Sequence, residues 1–188
     1  MGTAQQRRLF TADEYYRLAD VGILRHDDRV ELLDGDIVEM TPIGARHAAC
    51  VDRLNVLFQR VVNARAIVRV QNPIRLDPHS EPQPDLSILK ARADFYASGH
   101  PTPGDVLLVI EVADSSAGFD RDVKVPLYAR SRIPEVWLVD LEEGRVEIFA
   151  QPAPDGYRRS HLAVRGEHVA CEAVLGLSLS VDEIIPQM

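Results

Sequence analysis

The sequence predicts an α+β fold built on one central sheet, and three of its features point there. The stretch DVLLVIEVA, residues 105–113, is the most apolar run, as a central strand should be. Short alternating segments meet at Asp34-Gly35 and again near Glu143-Gly144, the turn chemistry of hairpins. Apolar residues recur at helical spacing elsewhere, notably Ala49, Leu54, Leu57, Phe58, Val61 and Val62. At 188 residues the chain fits a single domain, 1–188. A domain of that size buries roughly 70% of its unfolded surface, enough for a core without staples.

Taken in order, FTADEYYRLADVGIL reads as a first helix, with Thr11 as N-cap and Glu14 completing a capping box. RVELLDGDIVEM is a hairpin, and GARHAACVDRLNVLFQRVVNA the long helix. AIVRVQNPIRLD alternates like a strand pair broken at Asn72-Pro73, HSEP is a turn, and QPDLSILK a strand. ARADFYASGHPTPG is expected to form a short helix and a Pro/Gly loop before the central strand. GFDRDVKVPLYARSR is a helix that either starts near Val123 or kinks at Pro126, because an interior proline removes a hydrogen bond. EVWLVDLEEGRVEIFA is a hairpin, and the remainder supplies edge strands and a short terminal helix.

Composition narrows the function. The hydrophobic share of 46% and the charged share of 27% are ordinary for a soluble domain. Cys50 and Cys171 lie far apart and form no CxxC, which argues against structural zinc and a disulfide framework and for a reducing cytoplasm. MGTAQQRRLF has neither the apolar core of a signal peptide nor the myristoylation pattern, and no run reaches transmembrane length. The net charge of -8 counts against nucleic-acid binding without excluding it, so any such role needs a local groove and bound cations.

Two strand-like segments each carry one acid, Asp85 in QPDLSILK and Glu111 in LLVIEVADSS. A buried carboxylate is costly unless paired or bound to metal. Adjacent strands lie about 4.8 Å apart, so two such acids can meet at one sheet edge. They would then repel unless a cation sits between them, and a divalent metal with oxygen ligands is the natural one. Lys124 lies thirteen residues beyond Glu111 on the following helix, where it offers a positive charge to a phosphate. Asp120, Lys124 and Tyr128 follow at i, i+4 spacing and share one helix face.

The order Pro-Asp, Glu-Val on an apolar strand, then Asp-x-x-x-Lys on the next helix resembles the PD-(D/E)XK nuclease superfamily, and within it the Uma-two family of restriction endonucleases. VELLDGDIVEM, GARHAACVDRL, LDPHSEPQPDLSIL, LLVIEVADSS and FDRDVKVPLYARSRIPEVWLVDLEEGRVEIF carry the resemblance over most of the chain. It implies a restriction-endonuclease-like fold, a mixed central sheet flanked by helices with an N-terminal helix and hairpin. It further implies that Asp85 and Glu111 bind Mg²⁺ or Mn²⁺ and that Lys124 is the catalytic lysine. The superfamily pattern would put lysine two residues after Glu111, where this chain has Ala113; in this family the lysine has moved to the helix. The family's other acidic position maps to Glu31, and a histidine opening its long helix to His47.

Plainer readings stand beside these. Asp85 could bind backbone N–H groups at a strand entry, and Lys124 could be a solvated surface lysine. Glu31 could pair with Arg29 or Arg46, and His47 reads as a surface residue at a helix start. Asp120 reads as a helix cap, Tyr128 and Trp137 as packing, and Ser115 and Ser116 as turn and cap without a Gly-x-Ser-x-Gly elbow. The expected activity is metal-dependent hydrolysis of DNA phosphodiester bonds, with paired subunits if both strands are cut. An inert nucleic-acid- or protein-binding module and a hydrolase of smaller phosphate esters are the alternatives.

Overall fold

The computed structural model describes residues 7–25, 27–62, 65–174 and 176–185. Residues 1–6, on which the leader and myristoylation readings rest, lie outside that set, as do the last two residues of the long-helix pattern.

Helix α1 (Ala12–Asp20) begins at the expected capping box, with the Glu14 N–H donating to Thr11 Oγ1 at 3.2 Å and the Thr11 N–H to Glu14 Oε2 at 3.0 Å. Strands β1 (Val30–Leu33) and β2 (Asp36–Glu39) form an antiparallel hairpin. Asp34 and Gly35 turn it with φ of 48° and 81°, the left-handed pair a two-residue hairpin loop requires. Helix α2 (Ala45–Val62) buries Cys50, Val51, Leu54, Phe58 and Val62, the stripe read from the sequence.

The main sheet has β3 (Ala66–Val70), β4 (Leu86–Lys90), β5 (Val106–Ala113), β6 (Glu135–Asp140), β7 (Arg145–Ala153) and β8 (Gly156–Val164) in that spatial order. All neighbours are antiparallel except β5 and β6. Parallel neighbours need a crossover. Here it comprises α3 (Ala117–Phe119), a π-helical turn (Asp120–Lys124) and α4 (Val125–Arg130). A register shift at Ile88/Leu89 marks a bulge between β4 and β5, a feature that bends a sheet. Strands β9 (His168–Ala170) and β10 (Ser178–Ser180) form a separate ribbon that runs into α5 (Val181–Ile184).

Alternation along β5 divides the core. Leu108, Ile110 and Val112 pack with α2, the ribbon and α5, whereas Val109 faces α4 together with Val136 and Leu33. Trp137 is a fully buried strand residue; its ring lies 5.9 Å from that of Phe58, and its Nε1–H donates to Glu135 at 2.6 Å. Cys50 and Cys171 are buried and unpaired. Among the described residues no helix is long and apolar enough to cross a membrane.

Three segments differ from expectation. AIVRVQNPIRLD gives one strand, not two, because Gln71 takes a left-handed φ of 50° and Pro73 has no N–H to donate. The N–H groups beyond it bond to a neighbouring loop instead, Ile74 to the Pro82 carbonyl at 3.0 Å and Leu76 to that of Ser80 at 3.0 Å. The short helix expected after Lys90 is a run of turns, since Phe95 and Tyr96 sit at φ of 50° and 62° and cannot continue a helix. Pro126 falls in the first turn of α4, as the late-start alternative had it, but a helical π turn leads directly into that element, which the sequence did not indicate.

Candidate active site

Asp85 stands one residue before β4. The pairing Leu86↔Ile110, continued by one step, sets it opposite Glu111. Its Oδ2 accepts the Val112 N–H at 2.9 Å and lies 3.0 Å from His47 Nε2, while Oδ1 accepts from Gln71 Nε2 at 3.3 Å. The strand-entry role foreseen for Asp85 is therefore real, and it aims the carboxylate along the edge of β5. His47 is not a surface residue: its imidazole side chain is 14% exposed. The hydrogen bond to Asp85 raises its pKa against the opposing effect of burial.

The crossover brings the lysine to the acids. In the π turn the Val125 N–H reaches back to the Asp120 carbonyl. Single π turns inside helices occur frequently at functional sites. Lys124 Nζ lies 3.0 Å from Glu31 Oε1, 3.3 Å from Glu111 Oε1 and 4.0 Å from Asp120 Oδ1. Tyr128, one turn further, donates its hydroxyl to the same Glu111 Oε1 at 2.6 Å. Asp120 also accepts from the Ser116 hydroxyl at 2.8 Å, so it faces the lysine from within the site and caps no helix with its side chain.

The hairpin delivers Glu31. Arg130 of α4 clamps Asp34 at the hairpin turn with bonds of 2.7 and 3.0 Å, and the Glu81 N–H donates to the Leu32 carbonyl at 2.7 Å. Glu31 Oε2 then accepts the Gln83 N–H at 3.0 Å, leaving Oε1 for Lys124. Neither arginine considered for Glu31 pairs with it, because Arg46 is taken up by Asp114 at 3.1 Å and by the Leu141 carbonyl at 2.6 Å.

Charge here is unbalanced. Glu31, Asp85, Glu111, Asp120 and Lys124 are all at most 9% exposed; three of the four carboxyl groups lie within 4.0 Å of the lysine, and Asp85 faces His47 instead. Burial pushes Glu111 up to about 8; Lys124 pulls it back down, and Asp120, Asp85 and Glu31 push it further up. Burial and its acidic neighbours likewise raise Asp120, in spite of Lys124 and Ser116. Burial also works against the charge on Lys124, but Glu111, Glu31 and Asp120 outweigh it and hold the ammonium above its ordinary value. One ammonium serves three buried acids, and burial raises Glu111 in spite of it.

These side chains open into one cavity of about 190 Å³, lined by Glu31, His47, Asp85, Glu111, Asp120 and Lys124 among others. Asp85, Glu111, Lys124 and Glu31, singled out from the sequence, thus converge. His47, which the resemblance also marked, faces Asp85, while Asp120 and Tyr128 contact Lys124 and Glu111 in roles signalled only by the i, i+4 spacing of Asp120, Lys124 and Tyr128. Among the described residues no group of three or more His, Cys, Asp or Glu is arranged to hold a metal ion. The carboxylates lining the cavity are Glu31, Glu39, Asp85, Glu111, Asp114 and Asp120.

A mixed sheet with helices on both faces, and two acids and a lysine at the edge of its central strands, defines a restriction-endonuclease-like fold. The Uma-two (Uma2) family model, described as "Putative restriction endonuclease", matches residues 12–182, and the chain belongs to this family. Among solved structures the fold is similar to that of a protein from Anabaena variabilis described as a putative nuclease belonging to DUF820, with a TM-score of 0.72 at 16% identity. That match covers 93% of this chain and 97% of the other. No curated protein matches the chain significantly.

Proposed function

We propose that the chain is a single-domain, Mg²⁺- or Mn²⁺-dependent endonuclease that hydrolyses DNA phosphodiester bonds. One observation carries this reading: Asp85, Glu111 and Lys124 meet in one cavity whose acids outnumber its cations. Membership of a family described as "Putative restriction endonuclease", and the likeness in fold to a protein described as "a putative nuclease", support it.

The residues fit a hard divalent ion. Mg²⁺ is commonly held by one or two carboxylates, with water and substrate oxygens completing its shell, so a cage of three protein ligands is not required. Asp85 and Glu111 would hold it, and the surplus negative charge favours a cation. When bound, such an ion supplies Lewis acidity and lowers the pKa of a bound water. The chain's own groups do the rest. The Val112 N–H, Gln71 and His47 fix the Asp85 carboxylate. Glu31 holds the Lys124 ammonium at the cavity wall, where it can neutralise charge developing on the phosphate. Two copies of the chain would serve to cut both strands of a duplex, and its two unpaired cysteines suit a reducing cytoplasm.

The test is nicking of supercoiled plasmid. Cleavage should require Mg²⁺ or Mn²⁺ and vanish in Glu111→Gln. Plasmid left intact under all conditions, with turnover of a small phosphodiester, would transfer the site to the smaller-ester reading. Inertness towards both would leave a binding module.

A further inference from the structure

Glu111 is asymmetric in a way the nuclease reading leaves unused. Both of its protein contacts converge on one oxygen: Oε1 accepts from the Tyr128 hydroxyl at 2.6 Å and lies 3.3 Å from Lys124 Nζ. Oε2 accepts nothing from the described residues, and Glu111 lines the cavity. The Tyr128 ring is fully buried against the core of α4, so its hydroxyl is a fixed donor. Lys124 is a divided one, because it also reaches Glu31 and Asp120. An ammonium that turns towards a substrate phosphate must loosen its hold on Glu111.

We infer that Tyr128 is a positioning residue, which pins Oε1 of Glu111 so that Oε2 is presented to a divalent cation while Lys124 is released to the substrate. The inference rests on the reading of Asp85 and Glu111 as metal ligands. A hydroxyl of this kind matters through the ligand it orients. Losing such an outer partner typically lowers metal affinity or activity by about 10- to 100-fold. The reading of Tyr128 as packing accounts for its ring but not for its hydroxyl, whose short bond to a buried acid calls for a reason.

The experiment is calorimetric titration of the full chain with Mn²⁺, comparing the unchanged protein, Tyr128→Phe, and a protein with 4-aminophenylalanine at position 128. Phenylalanine keeps the ring and removes the donor; the amine restores one. Mn²⁺ affinity should fall by about 10- to 100-fold in Tyr128→Phe and recover in large part with the amine, while melting in chelator stays close to that of the parent. In nicking assays the lost rate should return at saturating Mn²⁺, with KM for plasmid unchanged. If Tyr128→Phe does not fold, 4-fluorophenylalanine fills the hydroxyl's space without donating and takes the same titration. Parental Mn²⁺ affinity in a folded variant without the donor would overturn the inference and leave the metal reading standing. Absence of Mn²⁺ binding by the unchanged protein would overturn the metal reading itself, and this inference with it.

Discussion

Lys124 lies within 4.0 Å of Glu31, Glu111 and Asp120, so removing it strips those buried acids of their cation. Breaking a buried pair on one side typically costs about 3–5 kcal/mol. Lys124→Met should therefore unfold earlier in urea, and the deficit should shrink at acid pH, where protonated carboxyls need no cation. Its nicking rate should fall by roughly two to three orders of magnitude; a variant that cuts like the parent would make Lys124 a structural lysine only. Glu111 gives the metal-free protein its own pH dependence. Its folded value of about 8 stands above the ordinary 4.5, so the folded chain keeps a proton that the unfolded chain releases. The stability this contributes is present below 4.5 and is lost as pH rises through about 8. Urea midpoints in chelator across that window should decline, and Glu111→Gln should flatten the decline; an unaltered slope would put its origin elsewhere. Asp85→Asn with Glu111→Gln should abolish Mn²⁺ binding in calorimetry. At this scale the sequence revealed the costly residues, because an acid within an apolar strand demands a partner. His47 was marked by the resemblance alone, and the partner of the Tyr128 hydroxyl stayed hidden, since a tyrosine on a helix face satisfies local rules without its tertiary partner.

Elements whose chemistry is local were the legible ones. The capping box of α1, the Asp34-Gly35 turn and the apolar stripe of α2 each follow from residues a few positions apart. The second strand expected before Asp77 and the helix expected after Lys90 failed because backbone at Gln71, Phe95 and Tyr96 adopts φ values that side-chain pattern does not encode. The π turn was invisible too, as i, i+4 spacing says nothing about a bond from Val125 back to Asp120. The first hairpin offers a test at this scale. A Cβ on Gly35 would sit 2.5 Å from that of Leu9, at a φ of +81°. Gly35→Ala should cost about 1–3 kcal/mol in thermal melts and disturb the placing of Glu31. Gly22→Ala, with φ +75° and open space, should cost less. Equal losses would mean that the contact with Leu9 yields freely.

Across the whole molecule, the net charge of -8 and the acid-rich cavity set the terms for any nucleic-acid partner. A duplex meets repulsion there until a cation intervenes. Fluorescence anisotropy with a short DNA duplex should show weak binding in chelator and tighter binding once Ca²⁺, another oxygen-seeking cation, is present. Tight binding in chelator would place the nucleic-acid contact away from the acids. The α+β class was readable from the helix and strand patterns, and every neighbour in the six-stranded sheet is also a neighbour in sequence. The parallel pair β5–β6 was not singled out from the sequence, although the helices between its strands are the crossover it needs. What the sequence could not supply was the convergence of a hairpin, a strand entry and a π turn on one cavity, which depends on contacts between residues as far apart as Glu31 and Lys124.

The buried indole of Trp137 gives the molecule an optical reporter of its own. It is the chain's one tryptophan, it pairs in register with Ile110 beside Glu111, and it packs with Phe58 of α2. Its emission should be blue-shifted in the folded chain and move to the red only when α2 lifts from the sheet. Unlabelled protein can thus signal loss of its core by colour, and a substitution in the cavity that silences catalysis while leaving that colour unchanged has struck the chemistry and spared the scaffold.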